Sequence, residues 1–228
     1  MDKLEKNHIL NSLLYPFIFV FTIVVIFFIE VIFEINLSNY GIYPRNFSGL
    51  KGVLFAPFLH GDASHLINNA IPLLILGTTL FYFYKEIALK VFLWIFLMGG
   101  FWTWVSAREA MHIGASGVIY GLFSFLLISG FIRRNIQLIA ISFFVVFIYG
   151  SMIWGIFPIK KHISFESHFW GFVAGLILAI YYRKQGPQKK VHHWEEDDDD
   201  EDEDEDEADS NIDKNPIEIT YIFKENKE

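Results

Sequence analysis

The 228-residue chain has no cysteine, which excludes a disulfide framework, a thiol nucleophile and any cysteine-ligated metal. A nucleophile here must be an oxygen or a nitrogen. No small-residue cleavage site follows the apolar run at residues 13–29, so that run reads as a retained transmembrane helix rather than a signal peptide. No solenoid-type repeat is present. A net negative charge is also missing outside one segment. Residues 195–207 are an unbroken run of 13 acids, and without them the formal charge of −8 becomes +5.

What is abundant is apolar side chain. A hydrophobic content of 53%, with 25 Phe, is too high for a soluble domain of this length and points to an integral membrane protein. Six apolar runs are expected as helices, at residues 13–29, 65–84, 91–105, 116–131, 137–157 and 167–182. Several are near or below the ~20 residues that cross a bilayer. Asp62 or Ser64 would cap the second. The fold class expected is therefore all-α, a six-transmembrane-helix bundle over residues 1–183 with an acidic tail over residues 184–228, mostly disordered. Within that tail, residues 217–223 alternate like a strand with nothing to pair with. Residues 35–59 are broken by Gly and Pro yet greasy, which suits a loop partly embedded at the membrane surface.

Lys3, Lys6, Lys85, Lys90, Arg133, Arg134, Arg183, Lys184, Lys189 and Lys190 fall on one side of this arrangement, against Arg45, Lys51, Arg108, Lys160 and Lys161 on the other. The majority side should be cytoplasmic, with both termini inside. A bacterial inner membrane is the expected setting.

Strongly polar groups inside membrane helices are costly and are functional candidates by default. Ser116 precedes Gly117 and Gly121, and His168 precedes Gly171 and Gly175. Glycines four apart share one helix face and let two backbones approach closely. Such an approach would bring the Ser116 hydroxyl to the His168 imidazole, the nucleophile-plus-base arrangement that activates a serine. His65 and Asn69, four apart, share a face of the second helix and could donate to an oxyanion together with the Ser116 backbone N–H. Tyr120 is placed to pack on the His168 ring. A metal site from His60 and His65 is disfavoured, because a spacing of five does not put both on one face and only Asp62 offers a carboxylate nearby.

These residues resemble the rhomboid family of intramembrane serine proteases over roughly residues 55–182. The resemblance rests on Gly114-Ala115-Ser116-Gly117-xxx-Gly121, on His60 with His65-xxx-Asn69, and on His168-xx-Gly171-xxx-Gly175, in that order. It implies a six-helix core, Ser116 as nucleophile, His168 as general base, no acidic third member, His65 and Asn69 at the oxyanion site, and Tyr120 stacked on the imidazole. Two positions depart from the pattern: Tyr43-Pro44-Arg45 stands where many members carry a Trp-Arg pair, and Ser167 stands where Ala is common.

The function expected is hydrolysis of a peptide bond in or beside the transmembrane segment of another membrane protein, without cofactor, metal or nucleic acid. The oligomeric state stays open. Two rivals are a small transporter or proton relay lined by His60, His65, His112 and His168, and a catalytically inactive relative that binds membrane helices. The transporter needs histidines at several depths, and the inactive relative would lack Ser116 or His168.

Overall fold

The computed structural model describes residues 3–148, 154–158 and 164–187. Among them the longer elements are all helical: α1 (Lys3–Ile32), α2 (Ala63–Phe83), α3 (Ala88–Ser106), α4 (Ser116–Ile132), α5 (Ile136–Ile148) and α6 (Phe165–Tyr181). The limits of α2, α3, α4 and α6 fall within three residues of those expected. Helix α1 begins ten residues before the apolar run, because the polar lead-in around Lys3, Glu5 and Lys6 is made of adequate helix formers. Asp62 caps α2, its carboxylate accepting from His65 N at 2.8 Å.

The expected fifth helix is corrected. Its described part is Ile136–Ile148, and a 3₁₀ turn occupies Trp154–Ile156, where helix had been expected to continue. Gly155 and Pro158 are the breakers there. Residues 149–153 of that expected helix, and the expected tail and strand beyond residue 187, lie outside the described residues.

Leu4–Ile32, Ala63–Phe83 and Ala88–Ser106 are long and apolar enough to cross a membrane, while Ser116–Ile132, Ile136–Phe147 and Phe165–Tyr181 are shorter apolar helices. Large apolar side chains face outward along α1, among them Phe17, Phe21 and Phe28. Such a surface is tolerable only against lipid, so the chain is an integral membrane protein. The core lies between α2, α3 and α4, where Leu76, Leu80, Ile95, Leu122, Phe125 and Leu126 are fully buried. Helix α4 is enclosed on nearly all sides, as an all-round apolar helix must be. At its far end the buried Arg133 donates to Tyr182 O (2.7 Å) and Gln185 O (2.6 Å), tying down the chain that leaves α6.

Helices α4 and α6 meet along the two glycine stripes. A Cβ on Gly171 would collide with Gly117 O, and one on Gly175 would collide with Gly121 O and Ser124 Oγ. The stripes are not symmetric partners. A Cβ on Gly117 would stand 3.2 Å from Ser167 O, and one on Gly121 would run into Ile95 of α3. Ser124 reinforces the contact, its hydroxyl lying 2.8 Å from Phe172 O.

The loop between α1 and α2 is built as a cradle for the loop between α3 and α4. Ile42 and His112 exchange both backbone bonds at 2.9 Å, and Gly114 N donates to Ala56 O at 2.8 Å. Arg45, in left-handed backbone (φ 57°), donates from N to Trp104 O at 2.9 Å and from Nη1 to Ala107 O at 2.6 Å. The Tyr43-Pro44-Arg45 segment thus fastens this loop to the end of α3.

The glycine contact predicts unequal costs of adding one methyl. Gly171→Ala should lower stability by about 1–3 kcal/mol, since the obstacle is backbone that cannot turn away, and Gly117→Ala by less. Thermal unfolding in detergent measures this; equal and negligible shifts would mean that the two faces do not touch.

Candidate active site

Ser116 is the first residue of α4 and His168 stands in the first turn of α6, where its N–H bonds Ser164 O at 3.3 Å. The glycine contact brings these two helix starts together. Ser116 Oγ lies 2.7 Å from His168 Nε2, and His168 Nδ1 lies 2.8 Å from Gly155 O. A carbonyl oxygen only accepts, so Nδ1 carries the hydrogen and Nε2 presents its lone pair to the serine hydroxyl. The imidazole is buried, 7% exposed, and Tyr120 stacks on it with ring centroids 4.2 Å apart at 14°. This constellation is a hydroxyl aimed at a neutral base whose orientation is set by a backbone carbonyl.

His65 and Asn69 approach from α2. Asn69 is buried and uses one amide N–H on His65 O at 2.9 Å, which leaves the second N–H for another acceptor. Asn68 points outward and, among the described residues, its amide donates to Ser64 Oγ at 3.4 Å. The meeting point is Gly114, two residues before Ser116. Its φ of +108° is in the region that favours glycine, and a Cβ there would lie 2.6 Å from His65 Nε2 and 3.8 Å from Asn69 Nδ2. The N–H groups of a helix's first turn have no partner within the helix, and those of α4 begin at Ser116. A cavity of about 20 Å³, room for one water, lies behind this corner, lined in part by Ile95, Gly99, His112, Gly114, Gly117 and Ser167.

Two residues escaped the sequence reading. Gly155 supplies the carbonyl for His168, and a Cβ at that position would strike the Tyr120 hydroxyl and stand 3.0 Å from His168 Nδ1. Its only sequence signal is a glycine in an apolar run three residues before a proline. Arg45, set aside as a departure from pattern, is the loop anchor described above. Among the described residues, no three His, Cys, Asp or Glu side chains converge as metal ligands do.

A family model described as Rhomboid domain matches residues 48–185. The chain is 36% identical over 186 residues to an uncharacterized protein of Mycobacterium bovis, covering 74% of this chain and 75% of that one. An uncharacterized protein of Mycobacterium tuberculosis is similar to the same extent, with the same coverage. One of Mycobacterium leprae is 33% identical over 175 residues, 71% of this chain and 66% of that protein.

Beside the site, in the loop before α2, His60 is 4% exposed and sets its ring against that of His65, centroids 4.9 Å apart. Burial, with a smaller contribution from His65, pushes the His60 pKa down to about 4 from an ordinary 6.5. The unfolded chain then takes up a proton near pH 6.5 that the folded chain refuses until about pH 4. The stabilisation is fully present above pH 6.5 and is lost progressively as pH falls through that window, by up to about 3 kcal/mol. Unfolding midpoints measured from pH 7.5 to 4.5 should fall more steeply for the parent than for His60→Gln, which does not titrate; parallel profiles would contradict this.

Proposed function

We propose that this chain, which belongs to the rhomboid family, is an intramembrane serine endopeptidase that cuts transmembrane segments of other membrane proteins with a Ser116–His168 dyad. The observation that carries the reading is the 2.7 Å contact between Ser116 Oγ and His168 Nε2. Hydrolysis of a buried peptide bond needs an activated oxygen in a dry site, and a serine beside a correctly oriented neutral imidazole supplies one.

His168 Nε2 takes the hydroxyl proton as Ser116 Oγ bonds to the substrate carbonyl carbon. The second N–H of Asn69, the His65 ring and the Ser116 backbone N–H are the donors for the oxyanion that forms. As the C–N bond breaks, Nε2 returns its proton to the leaving amine. Water then attacks the acyl-serine carbonyl as His168 accepts its proton, and Nε2 returns that proton to Ser116 Oγ as the ester C–O bond breaks and the acid product leaves. Gly155 O holds the Nδ1–H throughout, so a carbonyl dipole does the orienting that a carboxylate does in a triad. A substrate helix must unwind locally to offer its carbonyl, so helix-weak residues are expected near the cut.

The remaining parts of the reading are six spans, a membrane domain over residues 1–183, a cytoplasmic tail over residues 184–228, both termini inside and a bacterial inner membrane. The excess of basic residues on one side supports this orientation. A histidine-lined relay would need histidines at several depths. Instead His65 and His168 stand in the first turns of α2 and α6, and His60 and His112 in the loops just before α2 and α4.

The test is cleavage of a model transmembrane substrate by the full chain in lipid vesicles. Ser116→Ala and His168→Ala should each abolish cleavage in a folded bundle, and the double variant should be no worse, because the two groups act as a unit. Asn69→Ala should be milder, losing about 3 kcal/mol of transition-state stabilisation. Substantial turnover by Ser116→Ala would overturn the assignment.

A further inference from the structure

A second Ser–His pair sits four residues before the first on each of the two segments, with the residue types exchanged. His112 is four residues before Ser116, and Ser164 is four before His168. His112 Nδ1 lies 2.6 Å from Ser164 Oγ, and both pairs are separated by 52 residues in sequence. His112 Nε2 lies 3.1 Å from Arg108 O, which as a carbonyl can only accept. Nε2 therefore carries the hydrogen, Nδ1 is the acceptor, and the Ser164 hydroxyl donates to it.

Ser164 is the residue before α6, where a serine ordinarily accepts a bond from the helix's own first N–H groups. Here its hydroxyl makes no capping bond and is directed to His112 instead. His112 is 2% exposed, and its backbone is held on both sides by Ile42. Among the described residues, the charged groups facing this pair are Arg108, from its own loop, and Glu166, from α6. They form a parallel tie, with Glu166 Oε1 3.3 Å from Arg108 N and 3.6 Å from Arg108 Nη1. Burial keeps His112 below its ordinary pKa, Glu166 favouring and the Arg108 charge opposing protonation, so the accepting form persists at neutral pH.

We propose that His112 and Ser164 are positioning residues, a hydrogen-bonded clamp between the loop entering α4 and the start of α6 that sets the separation of Ser116 from His168. The two helix starts come from distant parts of the chain, and the Gly171 and Gly175 contacts and the Ser124 bond to Phe172 O all lie on the helical side of the reacting atoms. A tie on the loop side, four residues before each, holds the reacting atoms from the other end and completes their alignment. The inference rests on the protease reading, and its consequence is specific: loss of the clamp impairs the chemical step rather than binding.

The test measures inactivation of the full chain in vesicles by a fluorophosphonate, resolving the maximal rate constant from the half-saturating concentration. Ser164→Ala should lower the maximal rate by about tenfold or more, as misplaced reacting groups do, with the half-saturating concentration unchanged; the unfolding midpoint should fall modestly, because buried His112 Nδ1 loses its donor, while the chain stays folded at the assay temperature. Ser164→Thr, which keeps the hydroxyl, should restore the rate. A parent-like rate in Ser164→Ala, or equal losses in the Ala and Thr variants, would overturn the clamp. Absence of Ser116-dependent labelling in the parent would instead sink the protease reading. Nitrogen NMR of the His112 ring in Ser116→Ala decides the clamp without using activity: the ring should be in the Nε2–H form at neutral pH and should titrate below 6.5, and an Nδ1–H form would contradict it.

Discussion

Everything at this site depends on how closely α4 and α6 approach. A hydroxyl and an imidazole carried by different helices can share a hydrogen bond only if their axes come nearer than ordinary side chains permit. Gly171 and Gly175 remove the obstacle, since any Cβ there would enter the backbone of α4. Lipid provides no hydrophobic drive to press helices together, so the contact rests on close packing and on buried polar bonds such as Ser124 to Phe172 O.

Given that approach, the loops determine the chemistry. The protonation pattern of His168 follows from one carbonyl, Gly155 O, and that carbonyl is available because the chain turns through Trp154–Ile156 rather than running there as α-helix. The path into Ser116 is fixed by Ile42, Ala56 and Arg45, all in the segment between α1 and α2. The left-handed Gly114 then admits the His65 ring to the corner. Unsatisfied polar groups are costly in a low-dielectric interior, so a site fastened by this many backbone bonds resists rearrangement.

The helices were legible in the sequence because their signals are strong and local: long apolar runs, a capping Asp62, and polar turns between. The glycine stripes predicted the α4–α6 contact because small residues four apart have few other uses in a membrane helix. The detail of that contact was less legible, since spacing says nothing of whether Gly121 faces α6 or Ile95 of α3. Periodicity also could not reveal the 3₁₀ turn at Trp154–Ile156, where the sequence stays apolar while the backbone is not α-helical. The work of Gly155, His112 and Ser164 is set by tertiary geometry, through carbonyls and hydroxyls that leave no pattern in a single chain. Arg45 was obscured for the same reason, its partners being backbone oxygens some 60 residues away.

The central claim is that His168 makes Ser116 nucleophilic. The most direct measurement is peptide mapping by mass spectrometry after the reconstituted chain reacts with a fluorophosphonate. The account predicts a single phosphonyl adduct on Ser116, absent or greatly slowed in folded His168→Ala. An adduct on another residue, or one that forms on Ser116 at an undiminished rate without His168, would contradict it.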